Sequence, residues 1–392
     1  MWIGLAVYGG LDGTSGGYRY DRELVAALER RGDGVSVISI RRPTEEPMDA
    51  AAPSTTDRTS SAAESMLTDN AQSAADTPEL PLHDRLDRPF DVLLQDELCR
   101  PVLRTHNDQL SRPNAIVSIV HYLRSADPGI ENKSQVRERE REYLDSVDGA
   151  ICTSRYTRKR TTAITDLSTL VAPPAGRHEG TAVSRETVRE RARTAPLQVL
   201  FVGNLVPRKG TATLFRALAH VDRDWQLTVV GSQDADPAYT TRLRDRAAAL
   251  DIEDRVTFAG RVDDAALEAS YRRSHVLAVP SRCEPFGMVY LEGMEYGVVP
   301  IATRVGGARE FVTDGRNGVL VDPNDLTEIA AQVRDLAADR DRLARLGTAA
   351  LETAADHPTW DETMADVRSF LQAIASGVTS ADGDAAPDGD PP

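Results

Sequence analysis

Two glutamates with seven residues between them lie in a glycine-containing block that follows an apolar, strand-like run. Glu284 belongs to the loop that begins with Ser281-Arg-Cys-Glu, and Glu292 lies among apolar side chains about two turns into a helix that we expect to begin near Pro285. Carboxylates accept hydrogen bonds from vicinal hydroxyl groups, as on a sugar or a ribose, and free N–H groups at a helix start suit a phosphate. The alternative, that both glutamates are merely exposed on the surface, would not explain why one of them lies among apolar side chains on a helix. The block therefore predicts a sugar or nucleotide site.

A pair of cations marks a second candidate loop. Arg208 and Lys209 come shortly after a predicted strand and just before a predicted helix, and Lys209 is one of only three lysines in the chain. Cations at the carboxyl end of a strand are placed to neutralise a pyrophosphate, although a solvated basic pair would have the same sequence. Because Lys209 precedes the second glycine of the loop, the loop is not that of a P-loop ATPase.

Glycines dominate the loop after the first predicted strand. Gly16 and Gly17 allow a backbone to approach a ligand closely, and they are equally consistent with a tight turn between a strand and a helix. The loop lacks the fingerprint of dinucleotide-binding proteins, because Tyr8 stands where the first glycine would be. It shares with the Lys209 loop the order strand, glycines, helix, which suits a phosphate.

These loops need a framework that brings them together, and the alternation of strand-like and helical stretches supplies one. Short β-branched runs alternate with amphipathic helical stretches in two successive arrays, which predicts two doubly wound, Rossmann-like α/β domains facing a cleft. Ligands should then bind at the carboxyl ends of the strands. The predicted strands cover residues 3–8, 35–40, 91–95, 115–120 and 149–153 in the first array, and 197–202, 226–230, 256–258, 276–279, 299–303 and 318–321 in the second.

Composition divides the chain further. The acidic stretches 43–89 and 375–392 are rich in small and polar residues, and we expect the first to be a largely disordered insertion and the second a disordered tail. The predicted division is a first domain at 1–172, a linker at 173–195, a second domain at 196–357 and a C-terminal helix at 358–374.

The composition also excludes several classes of protein. Of the 392 residues 41% are hydrophobic, but no apolar run approaches the roughly 20 residues of a membrane-spanning helix, so we expect neither a membrane span nor secretion. The net charge of −15 argues against nucleic acid as the main partner. Cys99, Cys152 and Cys283 are odd in number and far apart, which excludes a disulfide framework and fits a reducing cytoplasm.

Taken together, the motifs resemble those of retaining glycosyltransferases of family 4, which have the GT-B fold. Glu284 and Glu292 fit the E-x7-E motif of that family, and Gly203-Asn204 with Arg208-Lys209-Gly210 resembles its donor phosphate loop. The segment 303–318 is similar to its GG-x-x-E and DG-x-NG motifs, and Ile119-Val120-His121 fits the strand-end histidine of its acceptor domain. The low lysine and excess acid are similar to members from halophilic archaea, although a GC-rich genome would also lower lysine.

The resemblance implies a role for each matched residue. Arg208 and Lys209 would bind the diphosphate of a nucleotide-sugar donor, Glu284 the hydroxyls of the sugar, and Glu292 the ribose. Catalytic roles would fall to Arg208, Lys209, Glu284 and His121, the last as a neutral imidazole near the sugar. Donor-binding roles would fall to Gly16, Gly17, Gly203, Asn204, Phe286, Gly287, Met288 and Glu292. We expect the chain to lack an Asp-x-Asp metal motif, and therefore a metal-independent reaction with no cofactor besides the donor.

The acceptor is less defined. The basic cluster Arg155, Arg158, Lys159 and Arg160 could bind a phosphate-bearing acceptor or an anionic lipid surface, or it could be a solvated helix face. We therefore expect a glycan or lipid acceptor, no nucleic acid, and a cytoplasmic protein that could contact the inner face of the membrane. Two alternative functions are a nucleotide-sugar epimerase and a non-catalytic nucleotide-sugar-binding subunit; the latter would bind donor without turnover.

Overall fold

A computed structural model describes residues 1–43, 80–178 and 180–377. The described residues form two sheets of parallel strands with helices between them. The strands are β1 Trp2–Tyr8, β2 Gly34–Ile40, β3 Val92–Asp96, β4 Ile116–Val120, β5 Gly149–Cys152, β6 Ser168–Val171, β7 Leu197–Val202, β8 Trp225–Val230, β9 Val256–Gly260, β10 Val276–Ala278, β11 Val299–Thr303 and β12 Val319–Val321. The helices are α1 Gly16–Arg30, α2 Leu82–Leu86, α3 Arg100–Asn107, α4 Lys133–Leu144, α5 Arg155–Thr162, α6 Arg185–Ala192, α7 Thr211–Leu218, α8 Pro237–Ala249, α9 Asp264–Arg273, α10 Met288–Met294, α11 Leu326–Ala338, α12 Arg340–Asp356 and α13 Trp360–Ala375.

The first sheet has the order β2-β1-β3-β4-β5-β6. Its four central strands, β1, β3, β4 and β5, are buried on both faces, as parallel strands flanked by helices must be, and a separate apolar cluster covers each face. One cluster contains Met364, Val367 and Leu371, so α13, near the carboxyl end of the described chain, packs against α1 of the first domain. The chain therefore crosses between the domains twice.

The second sheet has the order β12-β11-β10-β7-β8-β9. One continuous apolar core surrounds it, with Trp225 and Phe201 among its largest fully buried side chains. Helix α6 packs on α12 of this domain, although it lies inside the stretch 173–195 that the sequence suggests is a linker. Val188 of α6 contacts the α-carbon side of Gly297 and of Gly347, where a side chain would not fit.

In each sheet the strand order reverses at one place. The chain winds outward from β1 in one direction and from β3 in the other, and in the second sheet it does the same from β7 and β10. Loops that leave the two central strands on opposite sides of the sheet open a crevice there, and ligands of doubly wound sheets bind in it. The loops after β7 and β10 contain Lys209 and Glu284, so the topology brings these two predicted site residues together.

Doubly wound α/β domains are confirmed, and the structure adds details that the sequence pattern did not predict. Strand β6 was not predicted, and α2 lies within the acidic stretch 43–89, which was expected to be largely disordered. The rest of that prediction, and the expected disorder of the tail, concern residues outside the described ranges. Among the described residues, no helix combines the length and the apolar character needed to cross a bilayer.

Candidate functional site at the cleft between the sheets

The second domain presents a buried ion pair at its crevice. The ammonium Nζ of Lys209 lies 2.6 Å from Oε2 of Glu284, which also accepts a hydrogen bond from the hydroxyl of Ser281. The side chains of the pair are 15% and 10% exposed. Beside it, the guanidinium of Arg208 donates to the carbonyl oxygen of Cys283 at 2.6 Å. The two cations are thus attached to the loop that contains the glutamate.

Burial and charge act against each other at these groups. Burial lowers the pKa of Lys209, and the charge of Glu284 only partly offsets it. Burial alone would raise the pKa of Glu284, but the charges of Lys209 and Arg208 outweigh it and the pKa falls. The carboxylate is therefore ionised at neutral pH. The site is a preorganised cluster of two cations and one anion with little access for water.

Glycines fix the loop that contains Glu284. Gly306 has a φ of +104°, and a β-carbon there would overlap the carbonyl oxygen of Glu284. The N–H of Gly307 donates to that same carbonyl at 3.0 Å, and a β-carbon on Gly307 would overlap the carbonyl oxygen of Pro285. Gly287, with a φ of +93°, precedes the first residue of α10. The helix therefore begins at Met288 rather than near Pro285 as the sequence suggested, because residues 284–287 form an irregular turn over the two glycines.

Glu292, on α10, is held by two hydrogen bonds and one further ion pair. Its Oε1 accepts from Nη1 of Arg19 at 2.6 Å, and its Oε2 accepts from the hydroxyl of Tyr271 at 2.9 Å and pairs with Nε of Arg177 at 3.2 Å. Arg19 belongs to α1, so this ion pair joins the two domains. Tyr271 is fully buried, and the charge of Glu292 adds to the effect of burial, which raises the pKa of the phenol.

His121 forms the facing wall, at the end of β4 in the first domain. Its Nε2 lies 3.3 Å from Oδ1 of Asp21, and its backbone N–H donates to Glu97 at 2.9 Å. Burial would lower the pKa of His121, but the hydrogen bond and charge of Asp21, with the charges of Asp96 and Glu97, raise it to about 10. The sequence-based expectation of a neutral imidazole is therefore corrected: in this arrangement the ring is charged at neutral pH.

Several contacts hold the two walls together. The guanidinium of Arg208 lies 5.1 Å from the centre of the Tyr122 ring, in cation–π geometry. A β-carbon on Gly16 would lie 3.0 Å from the sulfur of Met288, and one on Gly17 would lie 3.3 Å from the ring of His121. Both glycines therefore stand where first-domain backbone closely approaches a predicted site residue.

The basic cluster on α5 takes part in a further contact between the domains. Both carboxylate oxygens of Glu310 accept backbone N–H groups at the start of α5, from Arg155 at 3.0 Å and from Tyr156 at 2.8 Å. Burial raises the pKa of Glu310. The N-terminal turn of α5 thus faces the second domain, while Lys159 and Arg160 are exposed.

One group of side chains has the spacing of a metal site. The ligand atoms of Asp21, Asp96 and His121 all lie within 4.8 Å of one another, and Oδ2 of Asp21 is buried without a hydrogen-bond partner. A charged His121 already neutralises one carboxylate there. The expectation that the chain lacks Asp-x-Asp spacing is wrong, because the described residues contain it at 222–224, 234–236 and 339–341. Two of these aspartates cap helices: Asp236 accepts the N–H of Tyr239 at 2.8 Å, and Asp339 accepts the N–H of Arg342 at 2.7 Å.

Most of the predicted residues converge. The structure places Arg208, Lys209, Glu284, Glu292, His121, Gly16, Gly17 and Met288 around the cleft. Gly203 lies beside the stem of Lys209, and Asn204 follows it in the same loop. The ring of Phe286 instead turns away into a cluster with Phe311 and His357, so only its backbone can belong to the site.

Sequence analysis missed the partners that hold these residues. Arg19, Asp21, Glu97, Arg177 and Tyr271 are the main examples. A usable signal existed for Arg19, because it stands three residues after Gly16 and so lies on the same side of α1. The others come from segments far away in the chain.

Comparisons with known proteins agree with this architecture. Residues 184–353 match the family described as Glycosyl transferases group 1. The D-inositol 3-phosphate glycosyltransferase of Xylanimonas cellulosilytica is 36% identical over 187 residues, which are 47% of this chain and 44% of that protein. The GDP-mannose-dependent alpha-(1-6)-phosphatidylinositol monomannoside mannosyltransferase of Mycobacterium tuberculosis is 32% identical over 244 residues, 58% of this chain and 62% of that protein. The chain thus spans about half the length of the curated relatives it matches.

Solved structures match over nearly the whole chain. Sucrose-phosphate synthase from Thermosynechococcus elongatus superposes with a TM-score of 0.74 at 22% identity, covering 96% of this chain and 99% of its own. HepE from Anabaena, solved in complex with UDP and glucose, superposes with a TM-score of 0.71 at 18% identity, covering 95% and 100%. The chain therefore has the two-domain GT-B fold, and its residues 184–353 match the model of the Glycosyl transferases group 1 family.

Proposed function

We propose that this protein is a retaining glycosyltransferase that moves a sugar from a nucleotide-diphosphate sugar to a hydroxyl of a glycan, lipid or small-molecule acceptor. The observation that carries the proposal is the buried pair of Lys209 and Glu284, 2.6 Å apart beside Arg208 at the strand-order reversal of the second sheet. The names of the relatives agree with it, since one is GDP-mannose-dependent and another acts on D-inositol 3-phosphate.

Arg208 and Lys209 would bind the donor's diphosphate. As the bond between the sugar and the phosphate breaks, negative charge grows on the departing nucleotide, and two fixed cations stabilise that charge more than they stabilise the intact donor. Because the side chains are largely shielded from water, the interaction is stronger than it would be at an exposed site. The reaction would need no metal ion for this role.

The acids and the histidine would position the donor. Glu284 would accept hydroxyl groups of the transferred sugar, and Glu292 those of the ribose. His121, charged and held by Asp21, would donate a hydrogen bond to the sugar or to the leaving phosphate from the opposite wall. With the anionic leaving group on the same face as the incoming hydroxyl, attack from that face would retain the anomeric configuration and need no enzymic nucleophile.

The acceptor would enter from the first domain. The relatives named for D-inositol 3-phosphate and for phosphatidylinositol monomannoside suggest a phosphate-bearing acceptor for this chain too. Lys159 and Arg160, exposed on α5, are the available cations for such a group or for an anionic membrane surface.

Donor binding and turnover test the proposal in sequence. A thermal-shift screen with UDP-, GDP-, ADP- and TDP-sugars should give a selective shift, since a ligand at 100 times its Kd adds about 2.7 kcal/mol to stability. The matching donor is then incubated with acceptors that include D-inositol 3-phosphate, and nucleotide release and the anomeric configuration of the product are measured.

Two lysine variants separate the site from general effects. Lys209→Ala should reduce turnover by two orders of magnitude or more, in the range seen when a preorganised transition-state donor is removed. Lys133→Ala removes the same group from the exposed start of α4 and should leave turnover unchanged. Release of an altered nucleotide sugar without acceptor would instead identify an epimerase, and donor binding without turnover a non-catalytic subunit.

A further inference from the structure

Arg19 of the first domain forms an ion pair with Glu292, the glutamate that is proposed to bind the ribose. Nη1 of Arg19 lies 2.6 Å from Oε1 of Glu292, and Nη2 donates to the carbonyl oxygen of Gly176 at 3.0 Å. The side chains of Arg19 and Glu292 are 18% and 6% exposed. Arg19 takes one of the two lone pairs of Oε1 in this largely buried position, so a ribose would compete with Arg19 for that oxygen.

Glu292 does not depend on Arg19 for its charge balance. Its second oxygen, Oε2, pairs with Arg177 at 3.2 Å and accepts the hydroxyl of Tyr271 at 2.9 Å. Arg177 also pairs with Asp264 at 2.8 Å. If Arg19 leaves, Glu292 therefore keeps a cation and a hydroxyl donor, and only Oε1 becomes available to another donor.

The position of Arg19 on its helix points toward the donor. Arg19 stands three residues after Gly16, so the two lie on the same side of α1. Gly16 closely approaches Met288, the first residue of α10, and Glu292 lies four residues further along α10. Arg19 therefore reaches across to the stretch of α10 between the loop of Glu284 and Glu292, over which a nucleotide diphosphate would extend.

We infer that Arg19 is a donor-binding residue. When the donor binds, Arg19 leaves Glu292 and pairs with the diphosphate, and ribose hydroxyls take the place of Arg19 on Oε1. The inference rests on the proposed function, since it assumes a nucleotide-diphosphate donor. A guanidinium in a largely buried position needs an anion, and phosphate oxygens match its planar, two-pronged geometry as well as a carboxylate does. Binding of the donor would thus break one contact between the domains and form another through the ligand.

The two parts of the exchange can be measured separately. A nucleoside diphosphate offers both ribose and phosphates, whereas the corresponding nucleoside offers the ribose alone. The experiment titrates wild type, Arg19→Ala, Arg19→Lys and Arg30→Ala by calorimetry with whichever of UDP, GDP, ADP and TDP the wild type binds, and with the matching nucleoside by competition. Arg30 is the matched control, because it lies on the same helix as Arg19, α1, and forms an exposed ion pair with Asp361.

Arg19→Ala should weaken binding of the diphosphate about tenfold or more, as expected for loss of a charged hydrogen bond. Binding of the nucleoside should not weaken, because the competitor for Oε1 is gone. Arg19→Lys should give an intermediate diphosphate affinity, and Arg30→Ala should match wild type for both ligands.

Two results would overturn the inference while leaving the proposed function intact: an equal loss for both ligands, which would make Arg19 only a brace between the domains, or an unchanged diphosphate affinity. A wild-type protein that binds none of the four diphosphates would overturn the proposed function, and the inference with it.

Discussion

The charge state of His121 gives the most demanding prediction, because it depends on one hydrogen bond between segments 100 residues apart. The ring lies 3.3 Å from Asp21, and its pKa is raised from 6.5 to about 10 although burial alone would lower it. That increase corresponds to about 5 kcal/mol of preference for the charged ring in the folded protein. Replacement of Asp21 by Asn keeps the shape of the side chain and removes the largest favourable interaction.

In Asp21→Asn we expect the pKa of His121 to fall well below its wild-type value, because burial remains while only Asp96 and Glu97 still favour the charged ring. The free energy of unfolding at pH 7 should fall by about 3 kcal/mol, as for removal of one partner of a buried ion pair. A raised pKa stabilises the fold fully below pH 6.5, and this contribution is lost as pH rises through about 10. The difference between wild type and variant should therefore be largest in mild acid and should shrink above neutral pH.

The assay is a titration of the imidazole proton resonances, with His121→Gln to identify the signal of His121 among the seven histidines. Denaturation at several pH values measures stability in parallel. Asp361→Asn is the control, because its ion pair with Arg30 is exposed and should contribute less than about 1 kcal/mol. A His121 signal that titrates near 6.5 in the wild type would refute the argument, and so would an equal loss of stability at all pH values.

Three further predictions concern other contacts of the site. Gly306→Ala should reduce turnover at least tenfold and destabilise the fold, because a β-carbon would displace the carbonyl of Glu284; a fully active variant would contradict this. Burial, with a smaller contribution from the charge of Glu292, raises the pKa of Glu295 to about 8. The folded state therefore holds an extra proton between about pH 4.5 and 8, and the free energy of unfolding should fall as pH rises through that range. Denaturation should show this slope in the wild type and not in Glu295→Gln. Glu310→Ala removes the acceptor of two N–H groups at the start of α5 and should lower the free energy of unfolding by about 1–2 kcal/mol, which denaturation measures. A denaturation midpoint equal to wild type would argue against the cap.

The sequence was most informative where the physics is local. Buried parallel strands appear as continuous β-branched runs, so the eleven predicted strands are present within a few residues of their expected bounds. β6 was missed because its four residues, Ser168–Val171, are all only partly buried at the edge of the sheet and give no such run. The carboxyl ends of β7 and β10 then bring Lys209 and Glu284 together by topology alone.

Features that depend on distant contacts could not be predicted in this way. The start of α10 is set by Gly306 and Gly307, which fill the space under residues 284–287 and leave no room for the helix to begin earlier. The partner of Glu292 is 273 residues away in the chain, and no local pattern links it to Arg19. The charge on His121 likewise depends on Asp21 and Glu97, which the fold brings next to it from two other segments.

These long-range contacts share one physical feature that bears on function. Three of the four cations proposed to act on the donor are held by a carboxylate in this structure: Lys209 by Glu284, Arg19 by Glu292, and His121 by Asp21, whereas Arg208 donates to a backbone carbonyl. A buried cation without an anion would be costly, so the glutamates keep the cations charged and in place when no phosphate neutralises them. The same glutamates have the chemistry to accept sugar and ribose hydroxyls once phosphates replace them as partners of the cations. In the proposed mechanism Glu284 and Glu292 therefore each act twice, first to hold a cation and then to bind the donor. We expect that an isosteric Gln, which could still accept a hydroxyl, fails to replace either glutamate, because it cannot neutralise the cation; full turnover of Glu284→Gln or Glu292→Gln would contradict this.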